Sequence, residues 1–552
     1  MVVDYIQNCI GGNKMKKVLA TLLTCGLLIG SLAGCGEQAS VAPAPETKTE
    51  TTVTESTEAA PEATSSDRPA DHVTLKMYLE GSNVTDDTAV LEKVNEYLDE
   101  KLNVTLEPIW GTWGDFDQGA VLSLQGGEDV DIYFTCSWTL NEYNQFARDG
   151  YYVRLDDPDN NLIEKYGQDI LNLLPEVLIK GSTIEGANGY GIYAVNGYKD
   201  IACQNCWDVN VDLLKKYGYT VEDIEKADYF TFGDILAKVK EGEGENFYPL
   251  LIEGAVLERM VDNSIIVAGD SGSNNLLSYY INPKKTSDEG AYGNVILNKF
   301  ATDEFKKFCE KTREYYLAGY IDPDMANPDK ANDVRANKQL TGQYLIGTQS
   351  YSLGYEIQAS TERGFEVAMV PTTPAYVDTT SSQGAMMAIS TASKNPDRAM
   401  MFLNLLNTDP YLFTLLDFGV EGIHYNLNEI GEVEFTAERD NYMPWTNGLG
   451  NVTLLPPQKG QGADFWEGFK AYYGNADEIP ILGYTFNPEN VENEFAALAN
   501  VAAEYVLPLC TGAVDPDEKI PEFLAKLEAN GMQKVVDEAN SQLQSFLASQ
   551  GK

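Results

Sequence analysis

Hydrophobic and polar positions change period repeatedly along this chain. Residues 73–78 alternate with a period of two, 89–98 switch to helical spacing, and 104–108 switch back. Strand, helix and strand at this spacing predict a βα unit of a mostly parallel sheet. A buried strand is expected over 131–135 and a helix over 141–152 that ends at Gly150. Residues 189–201 alternate without a helix signal, 201–209 predict a strand and 211–217 a helix. Further helices are expected over 232–240, 302–318 and 331–338, and strands over 342–346 and 365–370, with Gln349, Ser350 and Tyr351 as a polar loop. Ile430-Gly431-Glu432 suggests a hairpin turn. Residues 491–505, 520–530 and 532–547 carry the apolar stripes of packed helices.

The densest signal lies between Gly384 and Tyr425. Residues 385–391 read as a buried strand. Asn395 can cap a helix, Pro396 suits its first position, and Asp397 complements the dipole. Ala399, Met400, Leu403 and Leu406 follow on one face. Thr408, Asp409 and Pro410 stop and restart the helix, and Gly419 ends the second one.

The run SKNPDRAMMFLNLLNTD resembles the helix pair of bacterial extracellular solute-binding proteins, the receptors of ABC importers, and most of all their carbohydrate-binding lipoprotein branch in Gram-positive bacteria. The resemblance implies an α/β, type II periplasmic-binding-protein-like fold: two lobes, a cleft between them, and three hinge crossings. The implied division is lobe 1 over 71–192 plus 375–440, and lobe 2 over 193–374 plus 441–552. Residues 189–201, with Tyr-Gly-Ile at 190–192, are similar to the family's first crossing, Pro371 to Pro374 to its second, and Trp445-Thr446-Asn447-Gly448 to its third. Residues 481–488 and 511–517 resemble the domain that ends this branch, a helical region appended to lobe 2.

Length fits this picture, since 552 residues exceed one ordinary core. A net charge of -45 repels phosphates, which argues against nucleic acid and anionic lipid as partners. The amino terminus has an organisation of its own. Lys14, Lys16 and Lys17 precede an apolar run too short to span a bilayer comfortably, so 1–34 reads as a signal peptide with 1–14 as upstream over-call. It ends at Leu32-Ala33-Gly34-Cys35, which matches the lipobox; Cys35 is then the lipidated residue, anchored at the extracellular face of the membrane. Residues 35–70 are a polar stalk of Glu, Thr, Ala, Ser and Pro that cannot offset its ordering entropy.

Sugars offer flat CH faces and hydroxyls, so indoles beside carboxylates are candidate contacts. Trp110, Trp113 and Asp115 are read in one glycine-rich loop. Trp138 follows a strand end, where ligands of open α/β sheets bind. Tyr193, Tyr198, Lys199 and Asp200 lie on or just after the first crossing, the last two able to grip hydroxyls or pair with each other. Trp207 sits on the next strand, and Trp445 on the third crossing. Cys203 and Cys206 form a C-x-x-C without a second pair or nearby histidine, so ordinary thiols are expected rather than a zinc or redox site.

The expected function is capture of a sugar, an oligosaccharide by ring abundance, and delivery to the transmembrane subunits of a permease, by a monomer without a cofactor. No catalytic residue is expected. A secreted glycosidase or lyase is the competing class, yet neither G-x-S-x-G nor H-E-x-x-H occurs, and only two histidines are present. His424 reads as structural. Acids at Asp156, Asp157 and Asp159 lack a calcium-loop pattern. A sugar-sensing signalling receptor would keep the fold but transfer nothing.

Overall fold

The computed structural model describes residues 68–81, 83–112, 115–202, 204–252, 265–266, 277–281, 292–372, 374–445 and 448–551. The expected signal peptide, Cys35, the stalk, Trp113 and Cys203 lie outside the described residues.

Nine strands build two main sheets: β1 (Val73–Glu80), β2 (Val104–Gly111), β3 (Ile132–Thr135), β4 (Val195–Asn196), β5 (Asn205–Asn210), β6 (Leu250–Leu251), β7 (Ile346–Ser350), β8 (Val367–Pro371) and β9 (Met386–Ile389). The first sheet runs β2-β1-β3-β9-β4, the second β8-β5-β7-β6. In the first, β1 pairs parallel with β2 and β3, while β9 returns from far along the chain and pairs antiparallel with β3. The inner strands β3, β5 and β9 are buried at every position. Both faces of these strands are covered, which is why they read as continuous rather than alternating runs.

Helix Thr88–Leu102 packs Val90, Val94 and Leu98 inward at four-residue spacing. It stops at Asn103, whose φ of 55° lies in the left-handed region that Asn tolerates. The Asn103 side chain donates to the carbonyls of Pro69 and Ala70 and accepts from Arg68, tying residues 68–70 to the end of this helix. Helix Pro396–Thr408 begins at the predicted proline, although the Asn395 side chain makes no capping bond. Asp409 does cap the next helix, Pro410–Phe418, through the Leu412 amide at 2.9 Å.

Several boundaries differ from expectation. Of the stretch 189–201 expected to cross, only the part after Asn196 leaves the first sheet: Gly189–Ile192 forms a local hairpin with Thr183–Gly186, and β4 then joins the first sheet. Gln349 and Ser350 belong to β7 rather than to a loop, because that strand starts where the predicted one ends. The 141–152 helix shortens to Tyr143–Arg148.

The three carboxyl-terminal helices, Glu492–Cys510, Pro516–Ala529 and Met532–Ser549, pack on one another and on helix Asp303–Leu317. Asn540 pairs with the backbone of Ile296 in both directions, at 2.7 and 2.8 Å.

Candidate functional site

Three segments between the sheets run side by side. The Tyr198 amide donates to Gly450 O and its carbonyl accepts from Val452 N, at 2.9 and 3.0 Å. Gly197 N bonds Ala385 O, and Thr372 N bonds Asn205 O. Gly197 has no space for a side chain, since a Cβ there would lie 2.1 Å from the Gly448 carbonyl oxygen. All three crossings therefore brace one another, and a change of lobe angle must be shared among them.

Around this brace sit two groups of rings. On the first-sheet side, Trp138 follows the carboxyl end of β3 and Trp445 comes from the third crossing. Their rings meet edge to face at 5.7 Å, and Phe134 of β3 backs both, at 5.9 and 5.2 Å. The Trp138 indole N–H donates to Gly384 O of the second crossing at 2.9 Å, fixing its plane. Both indoles are half-buried.

On the second-sheet side lies helix Phe465–Gly474, directly after the third crossing. Phe465 and Trp466 meet at 4.8 Å, Trp466 and Phe469 at 5.3 Å, and Phe469 touches Tyr198 at 6.2 Å. Trp466 donates to Leu455 O at 2.6 Å. Tyr472 donates to Gln204 of the first crossing, and its ring lies 5.8 Å from Tyr351. Burial pushes the Tyr198, Tyr351 and Tyr472 hydroxyls up, so they stay neutral hydrogen-bonding groups. Half-buried rings with fixed planes, beside neutral hydroxyls and amides, suit a ligand with apolar faces and hydroxyl edges.

The helix at 465–474 went unread in the sequence, yet it carries a signal: Phe465, Trp466, Phe469, Tyr472 and Tyr473 follow helical spacing. Of the predicted contacts, the structure brings Trp138 and Trp445 together and places Tyr198 at the brace. Tyr198 itself is 6% exposed. Lys199 and Asp200 form an ion pair at 2.5 Å, the self-pairing alternative.

Others go elsewhere. Trp207 is a correction: on β5 it is buried between Tyr229, stacked at 6.2 Å, and Phe232. Tyr193 is another, with no exposed surface; its hydroxyl donates to Gly189 O and accepts from the Asn188 amide, closing a hairpin. Trp110 belongs to β2 rather than to a loop. Its N–H donates to Asp87 at 2.8 Å, and its ring covers Gly81, where a Cβ would lie 2.6 Å away. Asp115 is exposed and accepts from the Thr112 hydroxyl. His424 is buried, accepts the Val420 amide at Nδ1 and packs on Tyr442. Among the described residues no group of three or more His, Cys, Asp or Glu is placed to hold a metal ion.

Two sheets, three braced crossings and rings gathered at them give the chain a two-lobed fold of the type II periplasmic-binding-protein-like class. The comparisons with known proteins agree. The chain is 28% identical over 490 residues to a carbohydrate ABC transporter substrate-binding protein of Streptococcus pneumoniae serotype 4, covering 88% of this chain and 92% of the relative. It is also similar to the crystal structure of the N-glycan transport solute binding protein NgtS from Streptococcus pneumoniae, with 26% identity, a TM-score of 0.72, and coverage of 86% of this chain and 99% of that one. The NgtS complex with Man5GlcNAc matches at 27% identity, a TM-score of 0.67 and the same coverage. Residues 480–548 match a family described as a domain of unknown function, DUF3502, which spans the carboxyl-terminal helices.

Proposed function

We propose that this chain is the substrate-binding protein of an ABC importer that captures an oligosaccharide by lobe closure and hands it to membrane permease subunits. The observation that carries the reading is the meeting of Trp138 and Trp445 at the crossings, opposite the ring-bearing helix Phe465–Gly474. Relatives that match nearly end to end include one solved with Man5GlcNAc, which favours a branched or extended glycan over a single sugar. Closure is driven by contacts that the ligand makes with both sides of the cleft only in the closed state.

The finer parts of the reading are a lipid anchor at Cys35, a location at the outer face of the membrane, a monomeric state, and binding without bond cleavage. The lipobox at 32–35 and the polar stalk support the first two. Sugar-binding relatives that are receptors rather than enzymes support the last.

The test is a thermal-shift and calorimetric screen of the protein against mannose- and N-acetylglucosamine-containing oligosaccharides. A glycan bound only by the native state raises the melting temperature. Product analysis after long incubation should recover each glycan intact. Release of free sugar, or no binding across such a panel, would defeat the reading.

A further inference from the structure

Two thiols play no part in the site. Cys309 lies on helix Asp303–Leu317 of the second lobe, and Cys510 ends helix Glu492–Cys510 in the region that matches the family of unknown function. Their solvent exposures are 0% and 1%. Cα atoms of these two helices approach within 8 Å. One turn beyond Cys309, Arg313 donates to Gly512 O at 2.8 Å, and a Cβ on Gly512 would lie 2.5 Å from Thr312 O. The two backbones are thus pressed together beside the two buried thiols.

We infer that Cys309 and Cys510 are a disulfide-forming pair that covalently fastens the carboxyl-terminal helices to the second lobe. The reaction takes a disulfide oxidant, such as an oxidoreductase or glutathione disulfide. The thiolate of one cysteine attacks the oxidant and releases one of its sulfurs as a thiol. The other thiolate then attacks the first cysteine's sulfur and displaces the oxidant's second sulfur, leaving one new S–S bond and two thiols from the oxidant, which take up the two cysteine protons. Closure belongs to folding rather than to the finished protein, because burial pushes the Cys309 thiol well up and solvent no longer reaches it. The bond closes a long loop that runs from the second lobe through β9 of the first sheet and back, and restricting the unfolded chain over a long loop raises stability.

The experiment is to reduce and denature the protein, refold it in glutathione disulfide and glutathione, alkylate it under denaturing conditions, and map the digest by mass spectrometry. The expected result is a linked Cys309–Cys510 peptide, and a melting temperature several degrees above that of protein refolded in dithiothreitol. Cys309→Ala and Cys510→Ala should each melt at one temperature with or without reductant, and Cys206→Ala should retain the difference. Full alkylation of Cys309 and Cys510 after oxidative refolding overturns the inference. So does a reductant-sensitive melting temperature that survives in Cys309→Ala.

Discussion

The interior of the second sheet and the crossing region both gather aromatic and polar side chains, and they spend them differently. Inside the second sheet, Asp208 on β5 has no exposed side-chain surface and accepts from Arg363, Tyr344 and Gln339. Trp207, its neighbour, is sealed between two rings. The Asp208 carboxylate has three partners inside the protein, so its bonding capacity is already used. At the crossings, Trp138 and Trp445 are half-buried with their rings set edge to face, and Trp138 is held by its N–H on Gly384 O. A residue type says little about role; whether its faces are already covered says much.

That contrast can be broken or sharpened by substitution. The largest effect is expected at the sealed cluster: Arg363→Ala leaves Asp208 charged in the interior and should cost about 3–5 kcal/mol of unfolding free energy, read by urea titration. Glycan affinity of the protein that remains folded should be unchanged.

At the crossings the pattern reverses. Trp138→Ala should cost about 2 kcal/mol of glycan binding, roughly thirtyfold in Kd by calorimetry, with a smaller loss of stability. Trp207→Phe should leave Kd alone and lower stability by about 1–2 kcal/mol. If the two tryptophans trade these signatures, the comparison fails.

Gly197→Ala tests the brace itself. Its new Cβ must push the Gly448 backbone away, at about 1–3 kcal/mol, and should also alter glycan dissociation rates in stopped-flow measurements.

The smallest effects are in pH. Asp378, buried on the second crossing, is pushed up to about 6 by burial. Its folded-state value exceeds the unfolded one, so its contribution is full below the ordinary carboxylate range and is lost as pH rises to about 6. Asp378→Asn should flatten the melting temperature between about pH 4 and 6. His424 acts in the opposite sense. Burial, with Arg439 beside it, lowers its value; its contribution is present above the ordinary histidine range and fades as pH falls through the lowered value. Melting scans of His424→Asn against the parent protein should converge on acidification.

Much of the architecture was legible without coordinates. The helix pair at 396–418 was readable because prolines, caps and apolar spacing agree there with the tertiary arrangement. The carboxyl-terminal helices were readable for the same reason. The ring helix at 465–474 carries helical spacing, but Gly468, Gly474 and the flanking turns weaken its local signal.

The sequence by itself determined the elements, their order and the charge, because period, caps and composition are local properties of the chain. Which rings face a ligand was decided only by tertiary structure. Trp138 just past a strand end and Trp207 on a strand are both candidate contacts from the sequence. Trp207 is buried against Tyr229 and Phe232 of its own lobe, and Trp138 stays half-buried at the crossings. Burial depends on partners distant in sequence, such as Gly384 and Trp445 for Trp138, and no local pattern records them.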